Sequence, residues 1–228
     1  CELARQVEAD GVASLGAMMQ KKGIDLCVAG EESYLVKDEG LANACRVAGI
    51  PCWGPPKEAA QLEASKEFAK EFMVRHNIPT GGYATVNTIE EARAAIAGKY
   101  PTVLKFDGLA AGKGVAVCLD EASAEEFLQE VLVERKFGPG RLLVEEFLEG
   151  PEISIFVSVV DSEYQILAPA RDYKRIYDAD EGPNTGGMGA VSSLEMLDAD
   201  LRKIVEEEMV RPTVEGLIQD GLPYRGFL

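Results

Sequence analysis

Two lysines and three glycines punctuate the run Leu104-Lys105-Phe106-Asp107-Gly108-Leu109-Ala110-Ala111-Gly112-Lys113-Gly114-Val115. Glycine has no side chain, so the backbone amides at Gly108, Gly112 and Gly114 are open to close approach by an anion and can adopt positive φ where the turn needs it. Lys105, at the exit of an apolar strand, and Lys113, at the loop tip, supply ammonium groups for charge-assisted hydrogen bonds to phosphate oxygens. The spacing is not that of a Walker A loop, which needs a wider glycine gap and a Ser or Thr after the lysine, where this chain has Gly114. Nor is it the dinucleotide fingerprint, because Val117 stands at the third glycine and a strand follows instead of a helix. The pattern strand, glycine loop, strand (Val115 to Leu119) reads as a hairpin lid over a nucleotide. A plain hairpin turn with solvated lysines is the competing reading.

A second candidate follows in Val144-Glu145-Glu146-Phe147-Leu148-Glu149-Gly150-Pro151-Glu152, a strand, a bend and a further strand opening on a carboxylate. Backbone groups at such a bend can offer one donor and one acceptor to the edge of adenine, and a carboxylate a few residues on can accept ribose hydroxyls. The alternative is a solvated strand edge. A third candidate is Arg171-Asp172-Tyr173-Lys174-Arg175 with the acidic and glycine-rich stretch Asp178 to Gly189 that follows. It reads as a loop from Arg171 to Ser193, and loops of that length are functional or disordered. The single histidine, His76, sits at a helix C-terminus, where a cation meets the helix dipole. Trp53 reads as core. The cysteines lie in apolar contexts without a neighbouring histidine, so nucleophilic catalysis has no support.

The elements that must hold these groups follow from periodicity and turn residues. A helix over Gln6 to Lys21, a buried strand Ile24 to Gly30, a helix Asp38 to Ala48 and a short strand Ile50 to Trp53 form a β-α-β unit, the repeating piece of a doubly wound sheet. Gly54-Pro55-Pro56 ends it, which divides the chain into 1–56 and 57–228. A helix from Lys57 to His76 carries an apolar face of Ala59, Leu62, Phe68, Phe72 and Met73. A small α+β unit over about 80–145 follows: strand Tyr83 to Val86, a helix opened by a Thr88/Glu91 capping box, strand Thr102 to Lys105 and the glycine hairpin. After a helix Ser123 to Glu134 come strands Arg141 to Glu146, Glu152 to Val160 and Glu163 to Ala170, with a turn at Asp161-Ser162, and a long helix from about Asp198 to Gln219.

Composition narrows the partners. The 228 residues carry 23 Lys and Arg against 39 Asp and Glu, a formal net charge of −16, which disfavours nonspecific binding to nucleic acid and to anionic membranes. The few grouped cations, Lys105/Lys113 and Lys174/Arg175, are the more informative for that. Five cysteines (Cys1, Cys27, Cys45, Cys52, Cys118) without a C-x-x-C pair, and one histidine, argue against a disulfide scaffold and against zinc. No apolar run approaches a membrane span, so a reducing cytoplasm is the expected setting. A start at Cys1 and an end within what reads as a rising strand suggest an internal piece of a longer polypeptide.

At LKFDGLAAGKGV, LVEEFLEGPEIS and DYKRIYDADEGPNTGGMGA the chain resembles the phosphoribosylamine-glycine ligase family of ATP-grasp enzymes, also called glycinamide ribonucleotide synthetases. The resemblance runs from about Ile24 to Leu228, and the GPNTGGMG loop disfavours biotin carboxylases and other ATP-grasp ligases. It implies an α/β chain: a partial doubly wound N-terminal domain, then an ATP-grasp fold with an α+β lid and an antiparallel-sheet subdomain. It implies ATP with Mg2+ or Mn2+, and glycine joined to 5-phosphoribosylamine through a glycyl phosphate. Lys66 and Lys105 then match lysines at ATP phosphates or adenine; Gly108, Gly112, Lys113 and Gly114 match the phosphate cover. Glu145, Glu146, Phe147 and Leu148 match the adenine hinge, and Glu152 the ribose carboxylate. Asp172, Lys174, Arg175 and the loop Asn184, Thr185, Gly186, Gly187, Met188 and Gly189 match the segment near glycyl phosphate and phosphoribosylamine, with Lys105, Lys174 and Arg175 as the catalytic cations. Gly30 and Glu32 match a first-domain substrate loop. That loop reads G-P-E-x-P-L in the family and Gly30-Glu31-Glu32-Ser33-Tyr34-Leu35 here, without either proline. The family's magnesium-binding Glu and Asn are expected outside residues 1–228, and a monomer is expected.

Overall fold

A computed structural model describes residues 11–110, 113–178 and 181–228, the side chains of Pro183 and Asn184 excepted. Gly112, the start of the N-terminal helix at Gln6, and Ala179 with Asp180 therefore lie outside the described residues. In chain order the elements are α1 (Gly11–Lys21), β1 (Cys27–Val28), α2 (Ser33–Val36), α3 (Leu41–Val47), β2 (Cys52–Trp53), α4 (Gln61–Ala64), α5 (Lys66–Arg75), β3 (Tyr83–Val86) and α6 (Ile89–Ile96). There follow β4 (Thr102–Phe106), β5 (Val115–Cys118), α7 (Glu121–Leu128) with a π-helical extension Gln129–Val133, β6 (Leu142–Glu146), β7 (Val157–Val160), β8 (Glu163–Ile166), β9 (Ala170–Tyr177) and β10 (Glu181–Ser192). Last come a 3-10 turn Leu194–Met196, α8 (Ala199–Ile204), a π-helical stretch Val205–Val210, α9 (Arg211–Gln219) and β11 (Arg225–Phe227). No helix among the described residues is long and apolar enough to cross a membrane.

The chain forms two compact units, one of residues 1–64, 157–165 and 214–228, the other of 65–156 and 166–213. The first contains the expected β-α-β piece: β1 and β2 pair in parallel, Cys27 opposite Cys52, with the short α2 and then α3 between them in the chain. Gly40 opens α3 at φ +85, and a Cβ there would lie 2.6 Å from the Leu35 carbonyl, so only glycine lets the helix start at that point. Its core gathers Val12, Met19, Leu35, Leu41, Ala44, Cys45, Ile50 and Ala60. A second sheet of order β11-β7-β8 carries Arg225 beside Asp161 (2.7 Å), the residue that turns β7 into β8 at φ +54. The strand expected over Ile24 to Gly30 is shorter than its apolar run suggests and is not buried. Two residues pair, and Ile24, Leu26 and Val28 are exposed, because the described part of this sheet has two strands.

In the second unit a four-stranded antiparallel sheet of order β3-β6-β4-β5 carries the glycine hairpin between β4 and β5. One face of it is core: Leu104, Phe106, Leu142 and Val144 pack on Ala92 and Ile96 of α6 and on Ala124, Phe127 and Leu128 of α7. Alternation along the strands puts Val103, Lys105, Leu143 and Glu145 on the other face. Thr88 caps α6 by accepting from the Glu91 amide, while the Glu91 carboxylate accepts from the Asn87 amide.

Three further expectations need correction. The helix read over Lys57 to His76 is broken at Ser65, whose extended backbone and hydroxyl cap a new helix, α5, by accepting from the Phe68 amide. The strands read over Glu152 to Val160 and Glu163 to Ala170 are shorter, β7 and β8, with only an isolated bridge from Ser154 to Ala170 before them. The stretch Arg171 to Ser193, read as a loop, is an antiparallel ribbon of β9 and β10. Its glycines hide this from the sequence: Gly182, Gly187 and Gly189 take positive φ and its register shifts twice, so the ribbon bulges where alternation would have marked a strand.

Asp120 caps α7 through the Ser123 amide and shares a capping box with it, and these hydrogen bonds hold its carboxyl below the ordinary 3.8. A group lowered in the folded state stabilises it fully above the unfolded value and loses that contribution as pH falls through the lowered folded value. Asp120→Ala therefore lowers the unfolding temperature at neutral pH, and the difference from the parent chain shrinks below pH 3.8. Thermal unfolding of both proteins between pH 2 and 7 measures it; a difference that does not change with pH would remove the cap from the acid response.

Candidate active site

The second unit converts the sequence run around Lys105 into a tied loop. Asp107, the first residue past β4, turns its carboxylate onto the start of α5, accepting from the Lys66 amide (2.7 Å), the Glu67 amide (3.2 Å) and the Ser65 hydroxyl (3.1 Å). A carboxylate at a helix N-terminus is favoured by the open amides and the dipole. The Lys66 ammonium donates to the Gly108 carbonyl at 3.1 Å, so the same helix end grips the loop twice. Gly108 itself takes φ +148, and a Cβ on it would meet the Phe106 ring at 2.9 Å. The hairpin closes where the Phe106 amide donates to the Gly114 carbonyl (2.7 Å), and the Lys113 amide donates to the Ala110 carbonyl (2.9 Å), with the Lys113 side chain exposed. Of the residues singled out in this loop, Lys66, Lys105, Gly108, Lys113 and Gly114 are thus brought to one hairpin and its anchor.

On the face of the sheet away from the core, Lys105 and Glu145 are diagonal neighbours on β4 and β6, within reach of long side chains. Their charges meet at 3.0 Å. The same Glu145 oxygen receives a second ammonium, Lys70 of α5, also at 3.0 Å. Lys70 is 7% exposed and donates further to the Thr80 hydroxyl (2.8 Å) and the Gly81 carbonyl (3.1 Å), beneath the Tyr83 ring. Glu145, also 7% exposed, is therefore a buried hub between two lysines rather than a solvated strand edge. Sequence reasoning missed Lys70 and Asp107. Both sit in ordinary-looking local contexts, and the partners that define them lie on other elements.

The bend after β6 leaves the sheet past the pair Thr102/Glu146. The Glu145 carbonyl accepts the Thr102 hydroxyl (3.2 Å) and the Glu146 carboxylate accepts the Gly82 amide (3.0 Å), so Phe147 and Leu148 are the residues whose backbone lies beyond the ladder. Leu148 is exposed. Glu152 lies farther on, 3.2 Å from the Lys174 ammonium, which also pairs with Asp172 at 3.1 Å. Burial depresses the Lys174 pKa, but Asp172 and Glu152 outweigh it and hold the group above its ordinary value, so it stays charged. On the ribbon Arg175 donates to the Gly182 carbonyl (3.3 Å), Thr185 to the Lys174 carbonyl (2.9 Å), and Gly187 to the Thr185 hydroxyl (3.0 Å); Met188 is exposed. Asn184 pairs with Arg175 through the backbone register. Gly30 and Glu32 belong to the other unit, where with Glu31, Glu63, Trp53 and Tyr224 they line a cleft of about 340 Å3.

An antiparallel sheet that carries a strand-end lysine and a glycine hairpin, with a bend after its inner strand β6, fits an ATP-grasp fold. The family profile "Phosphoribosylglycinamide synthetase, ATP-grasp (A) domain" matches residues 64–228, and that of the same family's N domain matches 2–63. The chain belongs to the phosphoribosylglycinamide synthetase family. It is 46% identical over 221 residues to the phosphoribosylamine-glycine ligase of Vibrio cholerae, covering 95% of this chain and 51% of that protein. To the Vibrio parahaemolyticus enzyme it is 43% identical over 226 residues, covering 97% and 52%. The chain thus spans about half the length of the curated relatives it matches. The crystal structure of the Thermotoga maritima phosphoribosylamine-glycine ligase superposes with a TM-score of 0.78 at 35% identity, over 98% of this chain and 54% of that one. A biotin carboxylase from Campylobacter jejuni shares the fold at 19% identity and TM-score 0.72, over 95% of this chain and 47% of that one.

Proposed function

We propose that this chain carries the nucleotide and acceptor sites of an ATP-dependent carbon-nitrogen ligase that joins glycine to 5-phosphoribosylamine, giving glycinamide ribonucleotide, ADP and phosphate. The observation that carries the reading is the glycine hairpin tied to the α5 N-terminus by Asp107 and Lys66, with Lys105 beneath it, in a member of this family. A free carboxylate is a poor electrophile. Phosphorylation of glycine by ATP makes a glycyl phosphate with a good leaving group, and the amine of phosphoribosylamine attacks its carbonyl carbon.

The residues act by position and charge, since phosphoryl transfer needs little covalent help from the protein. Lys105 and Lys66 neutralise phosphate oxygens, and the amides from Gly108 to Gly114 close over them. Phe147 and Leu148 offer backbone groups to adenine, Glu152 takes the ribose hydroxyls, and Lys174 and Arg175 stabilise charge at the acyl phosphate, with Asp172 and the segment Asn184 to Gly189 around the acceptor. Gly30 and Glu32 belong to the amine's site. A divalent cation, Mg2+ or Mn2+, would shield the transferring phosphates. Among the described residues, however, no three carboxylates converge near these lysines, and Glu152 and Asp172 are already bridged by Lys174. A monomer in the cytoplasm completes the reading.

ADP formation by the 228-residue chain, with glycine and phosphoribosylamine both present and each omitted in turn, tests it. Release that requires both substrates is the expected result. Nucleotide binding without turnover would favour the second reading, a binding module without catalysis. Absence of nucleotide binding would remove both.

A further inference from the structure

Three thiols that are distant in the sequence converge in the first unit. Cys27 and Cys52 stand opposite each other in the parallel register of β1 and β2, and Cys45 comes in from α3, the helix that leads into β2. Their sulfur atoms all lie within 4.8 Å of one another. Cys45 is fully buried and the other two are half-buried. Burial, reinforced by the neighbouring Cys27, pushes the Cys45 thiol up to about 11, and the Cys52 thiol is pushed up more strongly for the same reasons.

The geometry is close to what a single cation of the right softness needs. Zinc-to-thiolate bonds of about 2.3 Å place bound sulfurs roughly 3.8–4.0 Å apart, so the trio needs a contraction of at most about 1 Å. The ligand set is all sulfur, which selects against hard cations such as magnesium and for thiophilic ones. Cys52 also lines a cleft of about 420 Å3 together with Ala42, Arg46 and Ile50, which gives a path from solvent. We propose that Cys27, Cys45 and Cys52 form a three-thiolate site for a soft d10 cation of the zinc, cadmium or copper(I) class, which clamps β1, α3 and β2 together. Each sulfur loses its proton to solvent as its bond to the cation forms, and no electron is transferred. The alternative is three small apolar side chains filling a core, with no affinity for metal.

The test is a titration of the full 228-residue chain with Cd2+ alone, under a phosphine reductant, following the ultraviolet thiolate-to-cadmium charge-transfer absorption. The expected result is saturation at one cadmium per chain, retained in Cys118→Ala and Cys1→Ser and weakened at least 100-fold in Cys27→Ala and in Cys52→Ala. Cd2+ is expected to displace Zn2+ from the zinc-loaded chain, since an all-thiolate set favours the softer ion, and Zn2+ alone to raise the unfolding temperature of the parent chain but not of these two variants. Cys27 and Cys52 are the chosen sites because they are half-buried, and circular dichroism reports whether each variant folds; for a variant that does not, the stoichiometry and zinc response of the parent chain decide. No absorption at equimolar cadmium, or absorption insensitive to both substitutions, overturns the proposal. Binding without a zinc-induced rise in unfolding temperature overturns the clamp.

Discussion

Glu145→Leu destabilises the second unit by about 3–5 kcal/mol, the cost of removing one partner from a buried charge cluster. The carboxylate lies 3.0 Å from both Lys70 and Lys105, and Lys70 is as buried as Glu145 itself. Without it two ammonium groups share one face of the sheet, and the buried one keeps only the Thr80 hydroxyl and Gly81 carbonyl. Lys105 is partly exposed and turns to solvent at small cost, so the loss concentrates on Lys70. Hydrogen exchange of the β4 and β6 amides reads the effect unit by unit, which global unfolding of a two-unit chain would blur. The expected acceleration is about 100-fold or more. Adding Lys70→Met restores most of the protection, because an apolar pair of similar volume replaces a buried ion pair with little penalty. An acceleration below about fivefold, under roughly 1 kcal/mol, would mean that solvent already screens the cluster.

Lys105→Met has the opposite profile. Glu145 keeps Lys70, so stability changes little, while any ligase turnover falls by about 100- to 1000-fold, the size of loss seen when one preorganised group that stabilises transition-state charge is removed, and ATP affinity falls with it. Arginine does not substitute well, since its planar fork does not reproduce the point-charge geometry of the ammonium. Calorimetric titration with ATP, alongside the exchange measurement above, separates the two expected roles, Glu145 chiefly in stability and Lys105 in phosphate binding as proposed. An affinity for the Lys105→Met chain within threefold of the parent would remove Lys105 from the phosphate site.

Between sequence and structure the agreement is uneven in an instructive way. The hairpin from Thr102 to Cys118 was legible because its signals are local: β-branched strand residues, three glycines, and a strand on each side. The cap at Thr88 and the turn at Asp161 were legible for the same reason. The ribbon from Ala170 to Ser192 was not, since positive-φ glycines and bulges erase the alternation that marks a strand. The break at Ser65 was hidden inside an otherwise continuous helical pattern, and its cause is partly remote: Asp107, on the far side of the chain, satisfies the new helix end.

By itself the sequence determined what short-range chemistry dictates: the glycine loop between two strands, its lysines, the acidic balance, and the motif resemblance that identifies an ATP-grasp ligase family. Tertiary structure alone decided which of many similar charges are buried and with whom. Lys70 in Lys-Glu-Phe-Ala-Lys-Glu looks like any solvated helix lysine until β6 brings Glu145 to it. Cys27, Cys45 and Cys52 look like scattered core residues until parallel pairing and one helix set their sulfurs side by side. The physical reason is the same in both cases. Spacing along a helix or strand fixes which face a side chain takes, but the partner on that face comes from an element whose distance in sequence carries no signal.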